Sequence, residues 1–197
     1  MLRVTAALAA SVAFVFSAAA LPKPEIDHAA VARIAATCTA DGAFGHKFGE
    51  KAPPEATKSP TFLTVSTLTR LGPEWAPLNE LDASYTSETR VLSSLTARVV
   101  FNETDAASSD RKTIQFKNLF DTLTVEIAST RTFAEQDTKI EFGQYYTASY
   151  SSSTERWKGF TLEIQWSGPT FNISCRDGKL MKLRMHELLG PDSVVPD

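Results

Sequence analysis

Between Phe160 and Arg176 the chain alternates almost without error. Phe160, Leu162, Ile164 and Trp166 are separated by Thr161, Glu163 and Gln165. Ser167-Gly168-Pro169 turns the chain, and Phe171, Ile173 and Cys175 then alternate with Asn172, Ser174 and Arg176. Successive side chains of a strand point to opposite faces, so this pattern describes a hairpin with one buried and one polar face. A sheet with one apolar face needs a cover, and the rest of the chain has to supply it.

The best candidate for that cover follows a second alternating run. Val91, Leu95, Ala97, Val99 and Phe101 are spaced by Ser94, Thr96 and Arg98, again a half-buried strand. Asn102-Glu103-Thr104-Asp105 supplies a helix cap and negative charge where a helix start favours both. Beyond it, Ala106, Thr113, Phe116, Phe120, Leu123 and Ile127 recur at three- and four-residue intervals, which predicts an amphipathic helix.

The remaining elements fit the same plan. Asp27 can cap a helix carrying Val31, Ile34 and Cys38 and stopping near Asp41-Gly42. Gly42–Gly49 lacks the Gly-Lys-Ser/Thr end of a phosphate loop and reads as a turn that tucks Phe44 and Phe48 under the sheet. Thr61–Leu71 is a strand with Leu63 and Val65 inward, and Leu81–Thr86 pairs with Val91–Phe101 through Ser87-Glu88-Thr89-Arg90. Ser129–Asp137 reads as polar loop, Lys139–Tyr150 as one alternating strand, and Ser151–Glu155 as a hairpin tip. Asp177-Gly178 can open a last helix with Met181, Met185, Leu188 and Leu189 on one side, ended by Gly190-Pro191; a strand through Met181, Leu183 and Met185 is the alternative. The fold expected is α+β: a twisted antiparallel sheet of about six strands with helices packed on one face. The competing fold is an all-β sandwich in which Thr113–Phe116 and Leu123–Ile127 are strands, because Leu123, Val125 and Ile127 also alternate.

The first residues stand apart from this plan. Met1-Leu2-Arg3, the uncharged run Val4–Phe16 and the small residues Ser17–Ala20 form a secretory signal cleaved after Ala20. The run is too short and alanine-rich for a stable span, so none is expected after cleavage. An alanine-rich signal points to bacterial export, to the periplasm or the medium. Residues 21–60 then hold the first helix and a Gly/Phe/Pro-containing connector, 61–190 the α+β domain, and 191–197 a flexible tail.

Export gives the two cysteines their meaning. Cys38 and Cys175 are the only pair in the chain and both fall on apolar stripes, so one disulfide should pin the first helix under the last strand. Redox work normally uses a close Cys-x-x-Cys pair, which is absent. His28, His46 and His186 show no zinc-binding spacing, and no Gly-x-Ser-x-Gly elbow occurs. Catalytic residues, metal ligands and cofactors are therefore not assigned; a hydrolase with an unrecognised site is the last alternative.

The formal net charge is -3, and without residues 1–20 it becomes -4, with no basic run; nucleic acid is not an expected partner. Tyr145, Tyr150 and Trp157 surround the Ser151–Glu155 loop and are candidate recognition residues, since exposed rings stack on sugars or anchor protein partners. The sequence thus points to an exported, soluble, non-catalytic binding or accessory module of the bacterial envelope. Its partner would be an envelope or extracellular protein, with a glycan held by exposed Tyr and Trp rings as the alternative.

Overall fold

The structure, a computed structural model, describes residues 27–58, 65–99, 106–141 and 145–190. The expected export signal over residues 1–20, the expected strand positions 61–64, the acidic corner Asn102–Asp105 and the tail 191–197 lie outside the described residues. In chain order the elements are α1 (His28–Thr37), β1 (Gly42–Ala43), β2 (His46–Lys47), β3 (Thr57–Lys58), β4 (Val65–Arg70), a 3-10 turn at Pro73–Trp75, β5 (Glu80–Tyr85) and β6 (Leu92–Arg98). They continue with α2 (Ala106–Thr130), β7 (Glu135–Glu141), β8 (Tyr145–Ser151), β9 (Phe160–Ser167), β10 (Thr170–Asp177) and α3 (Gly178–Leu189).

Among the described residues eight strands form one sheet in the order β3-β4-β5-β6-β10-β9-β8-β7, every pair antiparallel, and β1 and β2 make a separate small ribbon. The fold is α+β, with a wider sheet than the pattern suggested. The hairpin at its centre pairs Ile173 with Ile164 and Cys175 with Leu162, and on its other side Ile173 with Ala97 and Cys175 with Leu95. That register puts Leu81, Ala83, Leu95, Ala97, Leu162, Ile164, Phe171, Ile173 and Ala148 on one inner face, all buried. A bulge where Tyr85 meets Leu92 and Ser84 meets Ser94 brings Leu92 to the same face, and the Ser93 hydroxyl donates to the Ser84 carbonyl at 3.0 Å.

The all-β alternative fails at α2. Phe116, Leu119, Phe120, Leu123 and Ile127 are buried at helical spacing, whereas Val125, which a strand would have shared with Leu123 and Ile127, is 69 % exposed. α2 lies against β9 and β10 on the inner face and against α1. The start of α1 is capped by Asp27, whose carboxylate accepts from the amides of Ala29 and Ala30 at 3.0 and 3.1 Å. Its far end is held by Arg131, which donates to the carbonyls of Ala35 and Cys38 while lying over the rings of Phe133 and Phe160. One residue beyond α1, Cys38 is bonded to Cys175 of β10, with 5.7 Å between Cα atoms. The Gly-Phe segment is the β1–β2 turn: Phe44 is buried edge-on to Trp75, and Phe48 packs on the core.

Two elements depart from the sequence reading. The single strand expected over Lys139–Tyr150 is two, β7 and β8, paired from Glu135–Ser151 to Glu141–Tyr145. β7 is an edge strand whose residues 135–139 are all exposed, so no apolar period marks it and half of it resembles loop. At the opposite edge, β3 is described over Thr57–Lys58. Second, the helices do not share one face: α3 sits on the other side of β6 and β10, over polar side chains.

Candidate functional site

The outer face of the sheet is built by the residues between the apolar ones. β5 offers Glu80, Asp82 and Ser84; β6 Ser94, Thr96 and Arg98; β10 Asn172, Ser174 and Arg176; β9 Thr161, Glu163 and Gln165; β8 Tyr145, Thr147 and Ser149. Its charges are largely paired in place. Arg98 meets Glu80 at 3.1 Å, Arg176 meets Glu163 at 3.1 Å, and the hydroxyls of Thr96 and Ser174 are 3.0 Å apart.

α3 crosses this face with no fully buried residue. Polar contacts hold it. Asp177 caps its start through the Leu180 amide at 2.8 Å. Near its end the Glu187 carboxylate accepts from Ser87 Oγ, the Glu88 amide, the Thr89 amide and Thr89 Oγ1, all in the β5–β6 turn. Burial pushes the Glu187 pKa up, but those donors together outweigh it and hold the carboxyl below its ordinary value. Beneath the helix Asp82 Oδ1 is buried without a hydrogen-bond partner among the described residues. Burial raises the Asp82 pKa, and the charges of Arg98 and Arg184 offset only part of the rise.

A cleft opens where α3 begins. The loop between β8 and β9 is braced by its own hydroxyls: Ser152 Oγ accepts from the Phe160 amide at 2.7 Å, and Ser153 Oγ from the Glu155 amide at 3.1 Å. Its serines act as loop braces. The Gly178 amide donates to the Gly159 carbonyl at 2.8 Å, and a Cβ on Gly178 would fall 2.8 Å from the Trp157 carbonyl carbon. Only glycine allows loop and helix to approach so closely. The resulting cleft, about 690 Å³, is lined by Thr154, Glu155, Arg156, Trp157, Lys158, Lys179 and Lys182. Lys158 bridges to Glu155 at 2.6 Å, and the Arg156 guanidinium lies 4.9 Å from the Trp157 ring centre.

The structure does not bring Tyr145, Tyr150 and Trp157 together. Tyr150 is 4 % exposed on the inner face, in contact with Phe133, and its hydroxyl lies 3.5 Å from the Thr124 carbonyl of α2; burial raises its pKa. Its ring is closed to a ligand. Tyr145 is half-buried on the outer face, at the end of β8 away from the loop. Six residue steps along β8 put about 20 Å between Tyr145 and the start of that loop. Trp157 alone of the three lines the cleft.

The basic side chains of the cleft escaped the sequence reading. Arg156 and Lys158 precede β9, Lys179 and Lys182 follow β10, and the hairpin between them folds the two pairs together. No local run marks them. The histidines stay apart, with His28 on α1, His46 on β2 within 3.9 Å of Glu50, and His186 on α3. Among the described residues no group of three or more His, Cys, Asp or Glu is arranged to hold a metal ion. Nor is any helix among them long and apolar enough to cross a membrane. Comparison of the chain with known protein families, curated proteins and solved structures finds no match.

Proposed function

We propose that this protein is an exported, non-catalytic binding module that docks a protein partner of the envelope or the extracellular space on the outer face of its sheet. The observation that carries the reading is the unequal use of that face. α3 takes the part above β6 and β10, while Tyr145, Thr147, Ser149, Thr161, Glu163 and Gln165 on β8 and β9 remain half-exposed side by side. Hydroxyl, amide and carboxylate groups around one tyrosine resemble the polar ring and aromatic anchor of a non-obligate interface. The disulfide supports export, because such bonds persist in oxidising compartments.

The test is capture of partners from envelope extract by the exported protein and by face variants, Ser149→Arg and Gln165→Arg. A control, Val125→Ser, lies on the exposed side of α2. The reading expects a captured species that both face variants lose at least tenfold and the control retains. Capture insensitive to both face variants would sink it. Tyr145→Ala should weaken the same complex by roughly 1–3 kcal/mol, as loss of an anchoring ring does.

A further inference from the structure

We infer that the cleft between the β8–β9 loop and the start of α3 is a second, separate binding site, for a saccharide bearing acid groups. The chain carries net negative charge, yet among the described residues this cleft gathers Arg156, Lys158, Lys179 and Lys182 around the one carboxylate of Glu155. Such a reversal of sign favours an anion there, and concave walls strengthen the effect. Lys179 and Lys182 are three residues apart on one helix, so their stems rise from the same side about 5–6 Å apart. Compact ammonium groups on flexible stems accept carboxylate, sulfate or phosphate without demanding one geometry.

The rest of the lining narrows the class of ligand. At about 690 Å³ the cleft has the size of a small-ligand site, larger than one inorganic anion needs. Trp157 adds an indole to the lining, beside the Arg156 guanidinium, and an aromatic ring among charged groups suits the CH face of a sugar ring. Nucleic acid fits less well: single strands are bound by successive stacking rings along a basic track, and among the described residues one ring lines this cleft. An acidic peptide would find no strand edge to pair with, because β8 and β9 are each bonded to neighbours on both sides. The loop is pre-set by Gly178 and its hydroxyl braces, so little ordering is left for the ligand to bring about.

The experiment is calorimetric titration of the disulfide-bonded protein at low ionic strength. The ligands are an oligouronate, a sulfated oligosaccharide, a neutral oligosaccharide of equal length, hexaglutamate and a short single-stranded oligonucleotide. One-to-one binding of the acidic saccharides is expected, at least tenfold tighter than the neutral sugar, hexaglutamate or the oligonucleotide. Lys179→Gln with Lys182→Gln should weaken it at least tenfold. Trp157→Ala should weaken it at least fivefold while Trp157→Phe stays within threefold, which guards against a folding effect in the alanine variant. Vesicles displaying an acidic glycolipid head, run beside the free oligosaccharides, tell a membrane-borne saccharide from a free one; either result supports the site. Acidic saccharides that bind no better than the neutral one, or equally well to the double lysine variant, would overturn it. So would an oligonucleotide or hexaglutamate that binds as tightly.

Discussion

α2 and α3 lie on opposite faces of β10, one held by buried surface and the other by polar contacts. α2 sinks Phe116, Leu119, Phe120, Leu123 and Ile127 into the core. α3 has no buried residue although it carries Leu180, Met181, Met185 and Leu188, and it is tied down at its two ends by Asp177 and Glu187. Burial is non-directional and cooperative with the whole core, whereas capping and carboxylate contacts are local. The two helices should therefore come away from the sheet by different routes, α2 with global unfolding and α3 ahead of it.

The sharpest way to break this contrast is a matched pair of truncations. Leu123→Ala should cost about 2–5 kcal/mol in denaturant unfolding, from lost transfer energy and a residual cavity, while Leu188→Ala should cost about 1 kcal/mol. Equal losses would mean that α3 is as integral as α2.

A smaller effect is expected at the Glu187 contact. Its folded pKa is held below the ordinary value, so the stability it contributes is present at neutral pH and is lost as pH falls through the glutamate range toward the folded value. Glu187→Gln should cost about 1 kcal/mol at neutral pH, a figure reduced for the solvent at this contact, and almost nothing at acid pH. Hydrogen exchange should quicken in α3 and not in β9 or β10.

The smallest is the reverse case. Asp82 has a raised folded pKa, so the folded protein binds its proton more tightly, and stability falls as pH rises from the ordinary aspartate range to the raised value. Asp82→Asn should remove that slope and slightly raise the melting temperature at neutral pH. A lower melting temperature at neutral pH would show that attraction to Arg98 and Arg184 outweighs burial.

How much of this could be read from residues follows from the same contrast. Where one face is buried, the pattern is forced: the Phe160–Arg176 hairpin, the stripe of α2 and the Cys38–Cys175 bond are all set by contact with one core. The caps Asp27 and Asp177 were legible too, because an N-cap is local chemistry. β7 was not, since an exposed edge imposes no period. The outer-face position of α3 was equally hidden, because half-buried leucines and methionines give the same stripe whether the surface beneath is apolar or polar. The cleft was least legible of all: its cations share no segment and meet only because β9 and β10 turn back on each other. Among the aromatic residues, Tyr145 and Tyr150 lie an odd number of residues apart on one strand and so on opposite faces, but only packing shows that Tyr150 is closed off by α2.

The β7 edge of the sheet bears on how copies of this protein meet one another. Every antiparallel sheet that does not close ends in two rows of amides and carbonyls able to recruit another strand. One such row lies at β3, of which Thr57–Lys58 fall among the described residues. The other, β7, is seven residues long but carries Glu135, Asp137 and Lys139 along its exposed run, with Lys139 and Asp137 joined at 2.9 Å. A second β7 laid beside the first would have to strip water from those charges on both chains. Crowded at high local concentration, the molecules therefore resist joining one another through β7.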